Sequence, residues 1–230
     1  TGWFCAAETI IWDHAALLRA RERLNRNDDE SRKLRAELVA VARESLRQQP
    51  GSVLDKELTA GSGDKHDFLS GAIYWWPDPE KPDGRPYIYR DGRINPEGGR
   101  GKTDTAAAAR MLRHTPILAL AYFYTGERRY AEHAAHFLRK WFVSPETRMN
   151  PHFNYGEVRP GHDGDRGGYT GLIILALRMH LVLDSLALIR DSGCWSETDE
   201  TAFRKWLTDY LDWLHTSPLA QKAARNRNNL

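Results

Sequence analysis

The sequence predicts an all-α fold made of helical hairpins joined by long functional loops. Apolar residues recur at helical spacing through most of the chain, and no segment shows the alternation of a half-buried strand. Two segments rich in aromatic and basic residues separate the helices. Paired helices with such connections are typical of helical-hairpin stacks and of (α/α) toroids. The predicted helices are too few for a closed ring, so we expect an open arc or an incomplete toroid.

Two helices are predicted near the start of the chain, over about residues 8–25 and 29–47. Either Asp28 or Asp29 is the expected N-cap of the second, because a short acidic side chain accepts a hydrogen bond from the free N–H groups of a first helical turn. The apolar residues at helical spacing are Ile11, Ala15 and Leu18 in the first helix and Leu34, Leu38 and Val41 in the second.

The middle of the chain predicts two more helices, over residues 103–125 and 127–142. Pro116 is expected to kink or split the first, since proline lacks a backbone donor and its ring clashes with the preceding turn. Gly126 is a natural helix stop between the two. The second helix carries an apolar and aromatic stripe: Tyr130, Ala134, Phe137, Leu138 and Trp141.

The last two predicted helices differ in their surroundings. Residues 170–190 are apolar on nearly every face, which indicates a buried inner helix. Residues 197–215 follow Ser196, and Asp199 three positions on completes a pattern like a capping box. The expected buried stripe of this helix is Phe203, Trp206, Leu207, Tyr210, Leu211 and Leu214.

Two long segments, about residues 49–101 and 143–169, show no helical periodicity. Connections between helices and strands usually have about 4–6 residues, and much longer ones are often functional. Both segments are rich in aromatic residues, Arg and His, unlike flexible linkers. We therefore expect the functional site in these two loops.

The first loop offers flat aromatic side chains for stacking on sugar rings. Trp75, Trp76 and Tyr87 lie among Pro, Asp and Gly residues, and an apolar face with a polar rim suits a pyranose. Alternatively, the tryptophans anchor the loop to the helices. Arg90 in this loop and Arg166 in the second are candidates to bind a carboxylate through two parallel hydrogen bonds, although a solvated surface role is commoner for a single arginine.

The second loop places a histidine among residues suited to acid–base work. Asn150, Asn154, Tyr155 and Glu157 surround His152 in the sequence, and together they offer an acid, a base and neutral donors to a bound carboxylate. The alternative is that the segment around His152 is a structural turn. Neither interpretation excludes the other at this point.

Composition narrows the possible classes of protein. The 230 residues contain 33 Lys and Arg against 31 Asp and Glu, a net charge of +2, which gives no reason to expect a nucleic-acid partner. No apolar run reaches the length of about 18 residues that indicates a membrane span. No metal-ligand spacing such as Cys-x-x-Cys occurs, so no metal is expected.

A series of motifs runs through about residues 50–230 in order: Gly63-Asp64-Lys65-His66-Asp67-Phe68-Leu69-Ser70, Tyr74-Trp75-Trp76-Pro77-Asp78-Pro79, Pro86-Tyr87, Arg90-Asp91-Gly92, Asn95-Pro96-Glu97, Trp141-Phe142 and Pro145-Glu146-Thr147-Arg148-Met149-Asn150-Pro151-His152. Together they resemble the alginate lyase family of polysaccharide lyases, which cleave polyuronates such as alginate and glucuronan. The resemblance implies one (α/α) toroid domain over residues 1–230, incomplete at its C-terminal end. It also implies β-elimination, an acidic polysaccharide partner, no cofactor, and a secreted or periplasmic location; the oligomeric state stays open.

The resemblance also implies roles for individual residues. In the family, an Asn-Asn-His run neutralises the uronate carboxylate and provides a base, and a later Tyr and Arg assist. Asn228 and Asn229 match the two asparagines, so Asn229 is the expected neutralising residue with Asn228 beside it, but Leu230 stands where the His is expected. His152 and Tyr155 are then the candidates for base and acid within this sequence.

Two other functions compete with a lyase. The missing family His suggests a module that binds acidic polysaccharide without cutting it. A glycoside hydrolase on a similar helical toroid would need two carboxylates across a cleft, for which Asp67, Asp78, Asp91 and Glu157 are available. Products with a double bond, no products, or products without a double bond would separate the three functions.

Overall fold

The computed structural model describes residues 9–26, 28–96, 102–168 and 178–225. Within these ranges, helices dominate as predicted: α1 (His14–Leu24), α2 (Asp29–Leu46), α3 (Thr105–Thr125), α4 (Arg128–Leu138), α5 (Met179–Ile189), α6 (Glu197–Thr216) and α7 (Pro218–Ala224). Four short strands occur as well: β1 (Leu69–Gly71), β2 (Trp75–Trp76), β3 (Ile88–Tyr89) and β4 (Tyr155–Val158). The strands correct the expectation of a purely helical chain, since segments this short leave no alternating pattern in the sequence.

Local capping explains where several helices begin. Asp13 and Asp28 cap α1 and α2, each accepting a hydrogen bond from a backbone N–H three residues on. At α6 the predicted capping box is present: Asp199 N–H donates to Ser196 Oγ at 3.1 Å, and Ser196 N–H donates to the Asp199 carboxylate at 2.9 Å. Each cap contacts its own helix within a few residues, which is why the sequence alone predicted the caps at Asp28 and Ser196; the cap at Asp13 was not predicted.

Three helices differ from prediction. The helix α3 continues through Pro116, so the expected split does not occur. The helix is stabilised there by the packing of its own buried residues Leu118 and Ala121. The helix predicted to reach residue 142 ends as α4 at Leu138 and continues as a π-helical turn over Arg139–Val143. Residues 170–177 of the predicted inner helix lie outside the described ranges, and α7 was not predicted.

The chain divides into two compact units: residues 1–50, 110–139 and 178–200 form the first, and residues 51–109, 140–177 and 201–230 form the second. The core of the first unit contains Leu118, Tyr130, Phe137, Val182 and Ile189, each at most 1% exposed. Asp184 on α5 is also buried, and its carboxylate accepts hydrogen bonds from the backbone N–H groups of Ile10, Ile11 and Trp12. This carboxylate ties the segment before α1 to α5.

The second unit contains both small sheets and most of the two long loops. The strand β1 pairs with β4 in parallel, and β2 pairs with β3 antiparallel. Buried aromatic rings form its core: the Phe142 and Trp206 centroids are 4.7 Å apart, and Trp206 Nε1 donates to the Met149 carbonyl at 2.8 Å. The loops are therefore packed onto their own aromatic core and are not loose linkers.

A buried ion pair joins the first loop to the start of α3. Lys56 Nζ lies 3.1 Å from Asp104 Oδ2, and neither side chain is more than 1% exposed. The ammonium group also donates to the carbonyls of Val53 and Lys65, and the same carboxylate oxygen accepts the Leu69 N–H at 2.7 Å. Burial lowers the pKa of Lys56 and raises the pKa of Asp104 to about 6.

Candidate functional site

A cavity of about 410 Å³ in the second unit collects charged and polar side chains from the second loop and from α7. Three residues predicted from the sequence, Asn154, Tyr155 and Arg166, lie around it. Arg159 and Lys222 add two more cations, and Asp163 is the carboxylate of the lining. Three cations against one carboxylate give the cavity a positive balance, which suits an anionic ligand.

The strand β4 and its neighbours place Tyr155 and Asn154 at this cavity. Parallel pairing with β1 sets Tyr155 opposite Leu69, a buried residue of the first loop. Asn154 Oδ1 accepts a hydrogen bond from Trp213 Nε1 at 2.9 Å. Because an indole N–H can only donate, this bond orients the amide oxygen toward Trp213 and leaves the amide NH₂ to donate to a ligand.

The cations of the cavity are held in different ways. The Arg159 guanidinium forms an ion pair with Asp163 and lies over the Trp75 ring, 5.0 Å from its centroid. Arg166 is exposed and forms no ion pair with any described residue. Lys222 lies on α7, whose N-cap is Ser217 at the cavity wall. Arg166 is therefore the arginine whose guanidinium is most directly offered to a ligand carboxylate.

Asp67 forms a hydrogen-bonded node beside the second loop. Its carboxylate accepts Asn150 Nδ2 at 2.7 Å and Ser62 Oγ at 2.6 Å, and lies 3.1 Å from His152 Nε2. Burial alone would raise the pKa of Asp67, but hydrogen bonds from His152, Asn150 and Ser62 outweigh it and lower the pKa to about 2. Asp67 is thus a stable carboxylate that joins the two loops.

The same node defines the surroundings of His152. Its Nε2 is directed at Asp67, and its Nδ1 accepts the Asn154 N–H at a long 3.4 Å. Both ring nitrogens therefore have protein partners, which matches the structural-turn interpretation of this segment as well as it matches a catalytic one. His152 and Asn150 do not line the cavity that Tyr155 lines. Their roles as base and substrate contact stay predictions.

The aromatic residues of the first loop lie elsewhere in the second unit. Trp75 and Tyr87 line a second cavity of about 270 Å³, which also includes Arg85 and Asp165. His162 packs against the Trp75 ring with centroids 4.8 Å apart and contacts the Tyr87 carbonyl through Nε2 at 2.7 Å. Trp75 is therefore packed by protein groups, in agreement with the anchoring interpretation.

Trp76 and Arg90 form a pair of their own. The Arg90 guanidinium lies 5.6 Å from the centroid of the Trp76 ring, and Trp76 Nε1 donates to the Arg93 carbonyl at 2.8 Å. Neither residue lines the cavity of about 410 Å³. The sugar contacts expected of Trp76 and Arg90 stay predictions.

Of the remaining predicted site residues, Glu157 lies within the described ranges, whereas Asn228 and Asn229 do not. Glu157 lies on β4 with a positive φ of 54°, and its N–H donates to Ser70 Oγ at 2.8 Å; it does not line the cavity of Tyr155. Asn228 and Asn229 lie outside the described residues, so their predicted role cannot be placed in the structure. Both asparagines stay predictions.

Arg159 and Lys222 are the site residues that sequence reasoning did not single out. Arg159 was one of several loop arginines, and nothing local separates it from a solvated residue. A signal did exist for Lys222, because Ser217-Pro218 is a helix start with an N-cap serine and proline at the first helical position. Recognising that helix would have placed Lys222 on an ordered helix.

The described ranges offer no metal site and no membrane-spanning helix. There, no three His, Cys, Asp or Glu side chains are grouped so that they could hold a metal ion. No described helix combines the length and apolar character needed to cross a membrane.

Comparison with known proteins matches this chain to a family model and to a solved structure. The model of the family described as alginate lyase matches residues 52–230. A solved structure of an alginate lyase from Bacteroides ovatus is similar, with a TM-score of 0.88 and 35% sequence identity over 96% of this chain. The chain covers 57% of that protein's length. No curated protein sequence matches significantly.

Proposed function

Because this chain belongs to the alginate lyase family, we propose that it carries the substrate-binding cavity of a polysaccharide lyase that cleaves an acidic polyuronate by β-elimination. The observation that carries this proposal is the cavity of about 410 Å³ in which Arg159, Arg166 and Lys222 surround Asn154 and Tyr155. A polyuronate presents one carboxylate per sugar, so cations at the cavity match its charge.

The reaction needs three functions at the sugar that is cleaved. The C5 proton becomes acidic only when the neighbouring carboxylate is neutralised, a base must take that proton, and the departing O4 must be protonated. The C5–H electrons form the C4=C5 double bond as the C4–O4 bond breaks. The product is an unsaturated uronate at the new chain end.

The cavity supplies groups for these functions. The Arg166 guanidinium and the Asn154 NH₂ group are donors suited to the carboxylate, and the Tyr155 hydroxyl can donate or accept a proton. Asn228 and Asn229 are proposed to complete the neutralisation. His152 is the alternative base, provided that its ring leaves Asp67.

The first experiment incubates the chain with polymannuronate, polyguluronate and glucuronan and follows the ultraviolet absorbance of the unsaturated product. Absorbance that rises with one polymer identifies that polymer as substrate. Products that appear without a double bond would contradict β-elimination and favour a hydrolase.

The structure gives little support to a hydrolase. The Asp67 carboxylate accepts the Asn150 side-chain NH₂ and the Asp91 carboxylate accepts the Tyr89 hydroxyl, so neither is poised as a free catalytic carboxylate.

Two substitutions test the named residues. Tyr155→Phe is expected to lower kcat by about 10²–10⁴-fold with little change in KM, since it removes only a proton donor and acceptor. Arg166→Gln is expected to raise KM by about tenfold or more, since it removes charge-assisted hydrogen bonds to the carboxylate. Arg35→Gln, an exposed arginine of α2, is the control and should match the parent chain.

A binding module is the second candidate. In the structure both His152 ring nitrogens contact protein groups, an arrangement that a binding module without a catalytic base would also have. Polyuronate binding without any unsaturated product would support this function. We further propose a secreted or periplasmic location, which cell fractionation of the natural source would test.

A further inference from the structure

We propose that Arg159 binds a uronate carboxylate, and that Asp163 occupies its guanidinium until the substrate carboxylate takes its place. This inference rests on the proposed function, because it assumes that a polyuronate enters the cavity. It concerns a binding residue and an internal competitor, and it leaves the chemical step to the other groups of the cavity.

The Arg159 guanidinium is only partly satisfied by Asp163. One edge of a guanidinium carries Nε–H and an Nη2–H side by side, and this edge matches the two oxygens of one carboxylate. Asp163 Oδ2 pairs with Nη2, whereas Nε is buried and has no acceptor among the described residues. A buried donor without an acceptor is unfavourable, so once Asp163 has left and opened this edge, a carboxylate that spans both nitrogens would bind it better than Asp163 does.

Asp163 can leave at little energetic expense. Its side chain is 55% exposed, so water can solvate the released carboxylate. Exposed ion pairs contribute little to stability, because water competes for both partners. Asp163 also lies in a left-handed turn with Gly164 and Asp165, at φ values of 52°, 66° and 55°. Asp and Asn adopt this conformation more readily than most residues, so Asp163→Asn should preserve the backbone.

Arg159 itself is held in position. Its side chain is only 22% exposed and stacks on the Trp75 ring at 5.0 Å, while His162 packs against the same ring. A guanidinium that is already ordered loses little conformational freedom when one carboxylate replaces another. The structure therefore combines a fixed cation with a replaceable anion.

The test measures the affinity of short polyuronate oligosaccharides for the chain by calorimetry. Asp163→Asn is expected to bind about two- to fivefold more tightly, the size of effect that an exposed ion pair has. Arg159→Gln is expected to bind about tenfold more weakly. In the double variant the gain from Asp163→Asn should disappear, because Asp163 acts through Arg159.

Asp165→Asn is the matched control. Asp165 lies in the same left-handed turn and loses the same charge, but it pairs with Arg85 at 3.0 Å and lines the second cavity. Its affinity should equal that of the parent chain. Arg159→Lys keeps the charge without the paired N–H groups and should resemble Arg159→Gln, and thermal melting of each variant identifies any that is misfolded.

The outcomes separate this inference from the proposed function. Oligosaccharide binding with equal affinity in the Asp163 and Asp165 variants overturns the exchange and leaves the lyase proposal standing. A gain in oligosaccharide affinity that persists in the double variant also overturns the exchange, because Asp163 then acts by repelling the anionic ligand and not through Arg159. Absence of polyuronate binding in every folded variant overturns both proposals.

Discussion

Asp67 and Asp104 are both buried carboxylates, yet their surroundings shift their pKa values in opposite directions. Asp67 has three side-chain partners that outweigh the effect of burial, and its pKa falls to about 2. Asp104 has the Leu69 N–H and Lys56 as partners, and its second oxygen, Oδ1, is buried without one, so burial prevails and its pKa rises to about 6. For these two carboxylates, the number of donors decides whether hydrogen bonding or burial sets the direction of the pKa shift.

The first prediction concerns pH and Asp67. Since its folded pKa lies below the unfolded value of about 3.9, ionised Asp67 stabilises the fold above about pH 4, and this stabilisation of about 2 kcal/mol is lost as the pH falls through about 2. Asp67→Asn should lack this part of the pH dependence. Denaturant unfolding between about pH 5 and pH 2 measures it. If the free energy of unfolding of Asp67→Asn falls with pH as steeply as that of the parent chain, Asp67 is not the group responsible.

The second prediction concerns the Lys56–Asp104 ion pair. Lys56→Met should lower the free energy of unfolding by about 3–5 kcal/mol, because it leaves a buried carboxylate without its counter-charge. Lys56→Met combined with Asp104→Asn should recover part of this loss, since the amide oxygen still accepts the Leu69 N–H. Urea unfolding at neutral pH measures both. A double variant less stable than Lys56→Met would contradict this account.

At the scale of elements, contacts within a few residues were predictable and distant ones were not. The caps at Asp28 and Ser196 were found because each cap contacts its own helix. The strand β4 exists through its pairing with β1, and two separate loops must meet before either is a strand. For the same reason His152 could be singled out, but its contact with Asp67 could not be foreseen.

The third prediction concerns the capping box of α6. Ser196→Ala should lower the free energy of unfolding by about 1 kcal/mol, because it removes the acceptor of the Asp199 N–H. The midpoint of urea unfolding should shift without a change in slope. Thr208→Ala is the control: this exposed hydroxyl donates to the Arg204 carbonyl of its own helix, and its loss should change stability by less than about 0.5 kcal/mol. If both variants lose the same free energy of unfolding, the capping hydrogen bond of Ser196 does not stabilise α6 more than an exposed hydroxyl does.

For the protein as a whole, the positions of the charged side chains are more informative about its ligand than the net charge is. The net charge is only +2, so long-range attraction to a polyanion is weak. The overall composition therefore did not indicate an anionic substrate. That expectation came from the motifs along the chain, through their resemblance to the alginate lyase family. The cations gathered around the cavity become visible only when the second loop and α7 are brought together.

The fourth prediction follows from that distribution. Polyuronate binding should weaken steeply with added salt, which screens charges beyond about 10 Å at 0.1 M. Arg166→Gln should reduce the salt dependence, whereas Arg35→Gln on α2 should leave it unchanged. Titrations at increasing sodium chloride measure the slope. Equal slopes in all three proteins would place the charge contacts elsewhere.

The pairing of β1 with β4 also has a kinetic consequence. Leu69 pairs with Tyr155, and between the two strands the Glu157 N–H donates to Ser70 Oγ, a residue 87 positions earlier in the chain. Helices form quickly because their contacts are local, whereas contacts so distant in sequence require a large loop to close first. The binding cavity should therefore be among the last features to form during refolding, so that helical content recovers well before affinity for the polysaccharide.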